Sequence, residues 1–177
     1  MSESQDTVLI VDDEAAIRLV LAAHIRDLGY LALEASSPTA ARVILNQRSV
    51  SVVLSDLRMP HGGGMKLLED AQQLSPQTPV VILTAHGSIN TAVEAMKRGA
   101  FDFLSKPFER DQLSTTLNKA VLEHNQRSLQ LFESLEGRFK LIGTTPSMQR
   151  IYTIIEKVAA TSACVLIQGE SGTGKEL

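Results

Sequence analysis

Five side chains suited to handling a phosphoryl group stand at the ends of short apolar runs. Asp12 and Asp13 follow Thr7 to Val11, Asp56 closes Ser51 to Ser55, Thr84 ends Val80 to Leu83, and Lys106 follows Phe101 to Ser105. Three carboxylates brought to one place repel one another, and a bound cation relieves that repulsion. Hard oxygen ligands suit Mg²⁺, which keeps several waters and accepts phosphate oxygens as further ligands. A carboxylate nucleophile, a metal, an ammonium and a hydroxyl are together the equipment for accepting a phosphoryl group and stabilising its charge. A second set is Gly169, Glu170, Ser171, Gly172, Thr173, Gly174, Lys175 and Glu176. In such a Gly-x-x-x-x-Gly-Lys run the glycines let backbone amides cradle phosphates and the lysine reaches the outer ones. The residue after the lysine is Glu176, not the Ser or Thr that usually holds Mg²⁺.

Each feature also has a plain structural reading. Asp12-Asp13-Glu14 suits a helix N-terminus, where the dipole favours acids. The Thr84 hydroxyl can bond backbone, Asp56 can cap a turn, and Lys106-Pro107 can be a loop. The elements that carry these residues distinguish the readings. Thr7 to Val11, Tyr30 to Glu34, Ser51 to Ser55, Val80 to Thr84 and Phe101 to Ser105 read as buried strands. Between them lie helical patterns. Ala15 to Leu28 puts Ile17, Leu21 and Ile25 on one face and closes at Gly29. Ser36-Ser37-Pro38 opens a helix with Ala41, Ile44 and Leu45 inward. Met65 to Leu74 and Ser88 to Arg98 follow, the latter stopped by Gly99. Met59-Pro60 and Gly62-Gly63-Gly64 are expected to exclude regular structure just beyond Asp56.

Strands alternating with helices predict a flavodoxin-like, doubly wound, five-stranded parallel sheet in the order 2-1-3-4-5. The strands are apolar enough that neither sheet face is expected to be wet. In that order the first and third strands are neighbours at the switch point, so Asp12, Asp13 and Asp56 share one edge. Lys106 and Thr84 reach the same edge.

Glu109 to about Leu135 is one long helical pattern. Leu113, Leu117, Ala120 and Val121 can face the sheet. Farther on, Val121, Asn125, Ser128, Phe132 and Leu135 follow a 4-3-4-3 spacing, which fits either a short dimer seam with Asn125 setting register or a solvated linker helix. Gly137 is expected to break the helix. A second unit opens near Phe139, with a helix from Pro146 to Ala159 whose apolar residues are Met148, Ile151, Ile154, Ile155 and Val158, and a strand from Ala163 to Gln168 that runs into the glycine-rich loop. The expected organisation is 1–121 for the first domain, 122–138 for a linker helix and 139–177 for the first part of an α/β P-loop domain.

The 177 residues are 44% hydrophobic with a net charge of −3. Up to Phe108 the chain carries 9 basic and 12 acidic residues, and beyond it 8 of each. Neither part has the basic excess of a nucleic-acid-binding surface. No apolar run approaches the roughly 18 residues of a membrane span. The polar start, Met1 to Asp6, does not read as a signal peptide, and the single Cys164 suits a reducing cytoplasm. His24, His61, His86 and His124 have no metal-ligand spacing and read as surface or loop residues. Cys164 reads as a core residue.

Val-Asp-Asp-Glu at Val11–Glu14, Ser-Asp-Leu-Arg-Met-Pro at Ser55–Pro60, Thr-Ala-His-Gly at Thr84–Gly87 and Phe-Asp-Phe-Leu-Ser-Lys-Pro-Phe at Phe101–Phe108 stand in order and at telling intervals. With them the chain resembles a response-regulator receiver domain of two-component systems, over Thr7 to about Val121. The resemblance implies that Asp56 is the phospho-acceptor, fed by a sensor histidine kinase. It implies Asp13 as a direct Mg²⁺ ligand, Asp12 as a partner through water, and the Arg58 backbone carbonyl as a further ligand. Thr84 would bond the phosphoryl oxygen, Lys106 would pair with it, and Phe103 would be the aromatic switch. The family often has Tyr there, and Phe has no hydroxyl to donate, so only rotation or burial of the ring can signal.

Gly169 to Leu177, with Leu141 to Gln149 before it, is similar to the Walker A region and domain start of AAA+ activators that work with sigma-54 RNA polymerase. A receiver followed by such a domain resembles the NtrC-like regulators. That implies ATP as a cofactor of the complete protein and self-association through the 88–135 region. It also implies contact with sigma-54 RNA polymerase and DNA through parts beyond Leu177, and no membrane. This chain itself is expected to catalyse only its own phosphoryl transfer and not to hydrolyse ATP.

Three other readings compete. An aspartyl-phosphate phosphatase commonly needs a second acid two residues after its nucleophile, where this chain has Arg58. A flavin-binding flavodoxin relative needs a Ser/Thr/Gly-rich phosphate loop where this chain has Asp12-Asp13-Glu14. A stand-alone P-loop nucleotide hydrolase needs sequence downstream of Glu176.

Overall fold

Five apolar segments, each followed by a helix, build one parallel sheet in a computed structural model that describes residues 5–60, 63–85, 89–139, 145–159 and 166. The chain divides into two compact units, Met1–Arg127 and Ser128–Leu177. In the first, β1 (Thr7–Val11), β2 (Leu31–Ala35), β3 (Val52–Asp56), β4 (Val80–Ala85) and β5 (Asp102–Lys106) align in the order β2-β1-β3-β4-β5. Every pairing is parallel. This is the expected doubly wound order. Its switch point lies between β1 and β3, where Val11 pairs with Ser55 and leaves Asp12 and Asp56 side by side beyond the pairing.

Alternation along the strands sends successive side chains to opposite faces. Leu9, Val11, Val53, Val80 and Ile82 pack with Ala41 and Leu45 of α2 (Pro38–Gln47), Leu67, Leu68 and Ala71 of α3 (Gly63–Leu74) and Ala95 of α4 (Ile89–Lys97). On the other face Val8, Ile10, Val52, Leu54, Val81, Leu83 and Leu104 pack with Leu21, Ala22 and Ile25 of α1 (Ala15–Asp27). They also pack with Leu113, Leu117, Ala120 and Val121 of α5 (Arg110–Phe139). Ser37 caps α2, its hydroxyl accepting from Ala40 N at 3.2 Å, and Pro38 occupies the first turn where its missing N–H costs nothing.

The edges depart from the expectation of dry faces. Val8–Val11 of β1, all of β3 and Val80–Thr84 of β4 are buried, but Leu31 and Glu34 of β2 and Phe103 and Ser105 of β5 are exposed. An edge strand has a helix packed over only part of each face. The glycines after Asp56 also act differently than expected. Gly63 and Gly64 are the first residues of α3. Their lack of a side chain is used for close approach: a Cβ on Gly63 would lie 2.6 Å from the Leu57 carbonyl oxygen, and one on Gly64 would run into that of Asp56.

α5 spans thirty residues and passes through Gly137 without a break. One interior glycine costs only about 1 kcal/mol relative to alanine, too little to end a helix of that length. Val121 lies in the core, so it cannot also serve a dimer seam. The exposed stripe beside it is Leu122, Asn125 and Leu129. His124 is buried on α5, not a surface residue, one helical turn beyond Ala120 and Val121 on the core-facing side. His24, on α1, is half-buried.

In the second unit α6 (Pro146–Ala159) has the expected bounds, and the Thr145 hydroxyl accepts from Met148 N at 3.3 Å. Among its described side chains Tyr152 is buried, flanked by half-buried Met148 and Ile155, while Ile151 and Ile154 are exposed. The inward stripe therefore follows 148, 152 and 155 rather than 151 and 154. His61, His86, Cys164 and the loop Gly169–Glu176 lie outside the described residues. So does the expected strand from Ala163 to Gln168 except Leu166, which is not in regular structure. No helix among the described residues is long and apolar enough to cross a membrane.

Candidate functional site

The carboxyl edge of the sheet gathers residues from four strand ends. Asp56 is the last residue of β3 and Asp12 the first beyond β1. Lys106 ends β5, one position later than the sequence pattern suggested, paired with Ala85 of β4. Its ammonium donates to Asp12 Oδ2 at 2.8 Å and to Asp56 Oδ1 at 2.6 Å. Asp12 is 1% exposed and Asp56 9%. Two carboxylates this close and this dry require a counter-charge, and Lys106 supplies it.

The second oxygen of each acid is held by backbone. Asp12 Oδ1 accepts from Glu14 N at 2.9 Å and Asp56 Oδ2 from Arg58 N at 2.7 Å. Each acid thus bends its own chain into a turn through an amide two residues on. Asp56 is fixed from both sides, which leaves its carboxylate aimed at the edge rather than free to rotate. Burial alone pulls Lys106 toward deprotonation. Hydrogen bonds to Asp12 and Asp56 and the charges of both outweigh it, so its pKa stands above the ordinary 10.5. The ammonium is therefore charged at neutral pH.

Thr84 is buried in β4, opposite Ser105 in register and one residue beyond Leu83, the partner of Asp56. Phe103 is 43% exposed on β5. It borders an open groove of about 650 Å³ lined also by Ser105, Pro107, Gln112 and Thr116. The Lys106-Pro107 peptide is cis.

The site thus brings Asp12, Asp56 and Lys106 into contact and puts Thr84 on the adjoining strand. Asp13 is exposed beside Asp12, and among the described residues no three His, Cys, Asp or Glu side chains converge as a metal cage. Mg²⁺ needs no such cage, since one or two carboxylates with water and phosphate oxygens suffice. Asp12 and Asp56 stand together at this edge, and with the Asp13 carboxylate and the Arg58 carbonyl they are the oxygen donors that would hold it.

Two residues of the site were not singled out by the sequence. Gly64, the second residue of α3, donates its N–H to the Leu57 carbonyl at 3.1 Å and brings α3 against the Asp56 carbonyl. The run of glycines was the available signal, but close approach and chain breaking look alike in a sequence. Arg18 on α1 donates from Nη1 to the carbonyls of Asp12 at 2.7 Å and Asp13 at 3.1 Å. A side chain bonding to main chain leaves no residue-type pattern.

Residues 8–118 match the family model of the response regulator receiver domain, and residues 141–177 that of the sigma-54 interaction domain. The transcriptional regulatory protein ZraR of Salmonella typhimurium is 39% identical over 170 residues, covering 96% of this chain and 38% of that protein. The DNA-binding transcriptional regulator NtrC of Escherichia coli strain K12 is 37% identical over 171 residues, with 96% and 36% covered. Among solved structures, NtrX from Brucella abortus in complex with ADP superposes with a TM-score of 0.67 at 32% identity, covering 89% of this chain and 36% of that one. A response regulator receiver domain protein from Clostridium thermocellum gives 0.65 at 35% identity, with 71% and 98% covered. The chain therefore spans less than two-fifths of the length of ZraR and NtrC.

Proposed function

Because the chain belongs to the response regulator receiver family, a family of phosphorylation-controlled regulators in two-component systems, we propose that Asp56 is its phospho-acceptor. The observation that carries this is the ammonium of Lys106 bridging Asp12 and Asp56, residues from three separate parts of the chain. An Asp56 oxygen attacks the phosphorus of a phosphohistidine on a sensor histidine kinase. The new P–O bond forms as the P–N bond breaks, and the imidazole leaves. Lys106 then turns from Asp56 Oδ1 to a phosphoryl oxygen, with Thr84 donating its hydroxyl to another. Asp12 stays paired with Lys106 and holds it at the edge. Asp12, Asp13, Asp56 and the Arg58 carbonyl would hold Mg²⁺, which when bound would offset charge on the transferring group.

The output follows from the same edge. Thr84, drawn toward the phosphoryl group, vacates space beside β5, and Phe103 repacks from its exposed position, shifting a two-state equilibrium. α5 carries the shift onward. We place the receiver at 1–121, a linker helix at 122–138 and the start of the sigma-54 interaction domain at 139–177, and the self-association surface within 88–135, along Leu122, Asn125 and Leu129 of α5. The longer regulator to which these units belong binds ATP at Gly169–Glu176 and acts on sigma-54 RNA polymerase and DNA in the cytoplasm. This chain alone performs only its own phosphoryl transfer.

Incubation with acetyl phosphate and Mg²⁺ tests the reading. Intact-mass analysis should show one added phosphoryl group, lost in Asp56→Asn. Labelling of that variant at the wild-type level would overturn the assignment.

A further inference from the structure

We infer that Arg18 is a positioning residue, which aims the Asp13 carboxylate at the cation by holding the main chain between β1 and α1. The inference rests on the cation reading given above. Asp12, Asp13 and Glu14 join β1 to α1. The two acids are fixed very differently. Asp12 is buried and held by Lys106 and by Glu14 N. Asp13 is exposed, so packing does not set the direction of its side chain and the backbone must.

That backbone is tied at two successive carbonyls by one nitrogen. Arg18 Nη1 carries two hydrogens, and the carbonyl oxygens of Asp12 and Asp13 lie 2.7 Å and 3.1 Å from it. Holding the peptide planes on both sides of the Asp13 α-carbon fixes the backbone torsions there, and with them the Cα–Cβ direction. The guanidinium is itself held. Its side chain is only 16% exposed, and its Nε lies 4.0 Å from Glu34 Oε2 of β2. Glu34 also meets Arg26 at 3.5 Å. The Arg18 amide donates to the Glu14 carbonyl at 3.2 Å, which starts α1 directly after the acids. Strand β2, which contributes no residue to the site, thereby braces the acidic turn.

A charge argument makes the opposite prediction. A guanidinium beside a cation site repels the cation, so its removal should tighten Mg²⁺ binding. Positioning makes removal weaken it. Supporting groups around metal ligands commonly carry roughly tenfold or more in affinity.

The test is a Mg²⁺ titration of the full chain followed by ¹H–¹⁵N NMR. Arg18→Ala is expected to bind Mg²⁺ roughly tenfold more weakly than wild type. Arg18→Lys, which keeps the charge and can still donate to one carbonyl, should fall between, and it serves if Arg18→Ala does not fold. In an Asp13→Ala background, Arg18→Ala should cost almost nothing further, because the group it aims is gone. Unchanged or tighter Mg²⁺ binding in Arg18→Ala, or a full tenfold loss on top of Asp13→Ala, overturns the inference. Failure of the wild-type chain to bind Mg²⁺ instead overturns the cation reading on which it rests.

Discussion

Lys106 Nζ lies 2.6 Å from Asp56 Oδ1, although the two residues are 50 positions apart and their strands are not neighbours. β4 separates them, so the lysine reaches across a strand end to make the contact. The same nitrogen meets Asp12, 94 positions away. One ammonium thus closes an edge drawn from β1, β3 and β5.

Removing that ammonium should destabilise the fold. Lys106→Met leaves Asp12 and Asp56 facing each other with no counter-charge. Breaking a fully buried pair costs about 3–5 kcal/mol. Lys106 is 21% exposed, so a loss of about 2 kcal/mol is the reasonable scale. Urea denaturation without Mg²⁺ should show it, and added Mg²⁺ should restore part of it. In the wild type the lysine pKa is raised above 10.5. The stabilisation is therefore complete below about pH 10.5 and is lost as pH rises through the higher folded-state value. Equal urea midpoints for Lys106→Met and wild type would contradict this account.

Gly64→Ala should lower stability by about 2 kcal/mol, the scale of an overpacked contact. The added methyl would press on the Asp56 carbonyl and lie 3.0 Å from Ser55 Oγ. Relief requires moving α3 away from Asp56, so on the proposed role of Asp56 the rate of labelling by acetyl phosphate should fall with stability. A drop in the denaturation midpoint with unchanged labelling would mean that α3 yields without disturbing Asp56.

Acid should weaken the fold through His124. Burial, the largest influence, lowers its pKa below 6.5 despite a hydrogen bond to the Gln77 carbonyl at 3.1 Å. Above pH 6.5 the ring is neutral in both states and costs nothing. As pH falls below 6.5 the unfolded chain takes up a proton that the folded chain refuses, and stability declines until the folded-state pKa is passed. His124→Asn should flatten that part of a melting-temperature profile. An unchanged slope between the two proteins would assign the acid sensitivity elsewhere.

Phosphorylation should move NMR signals of residues 88 to 109, with Phe103 among the largest, and shield its ring from solvent. Phe103→Ala should still be labelled but should lose the shifts on α4. Shifts confined to residues 55 to 60 would remove β5 from the output path.

The sheet order and the gathering of Asp12, Asp56 and Lys106 at one edge were legible because strands of buried β-branched residues alternate with helices and end in polar side chains. Asp12, Asp56 and Thr84 obey that rule, whereas Lys106 follows a run without β-branched residues whose Phe103 and Ser105 are exposed, and only its place after the last strand pointed to the edge. What was not legible depends on main-chain contacts or on competition between patterns. Arg18 bonds to carbonyls, which every residue has. Gly64 is needed for its missing Cβ, whereas glycine runs usually signal torsional freedom. Val121 satisfied a sheet-facing pattern and a seam pattern at once, and burial decided for the sheet. His124 sat on the stripe of Leu117, Ala120 and Val121, where the helical period already pointed inward; its polarity alone argued for the surface.

Protein synthesis delivers Asp12 first, Asp56 next and Lys106 last. Sheets of this kind assemble as domains emerge from the ribosome, and β5 is the final strand to arrive. A nascent chain that has not yet released β5 carries Asp12 and Asp56 without the ammonium that completes the edge. The acidic edge is accordingly neutralised only when the last strand of the sheet arrives.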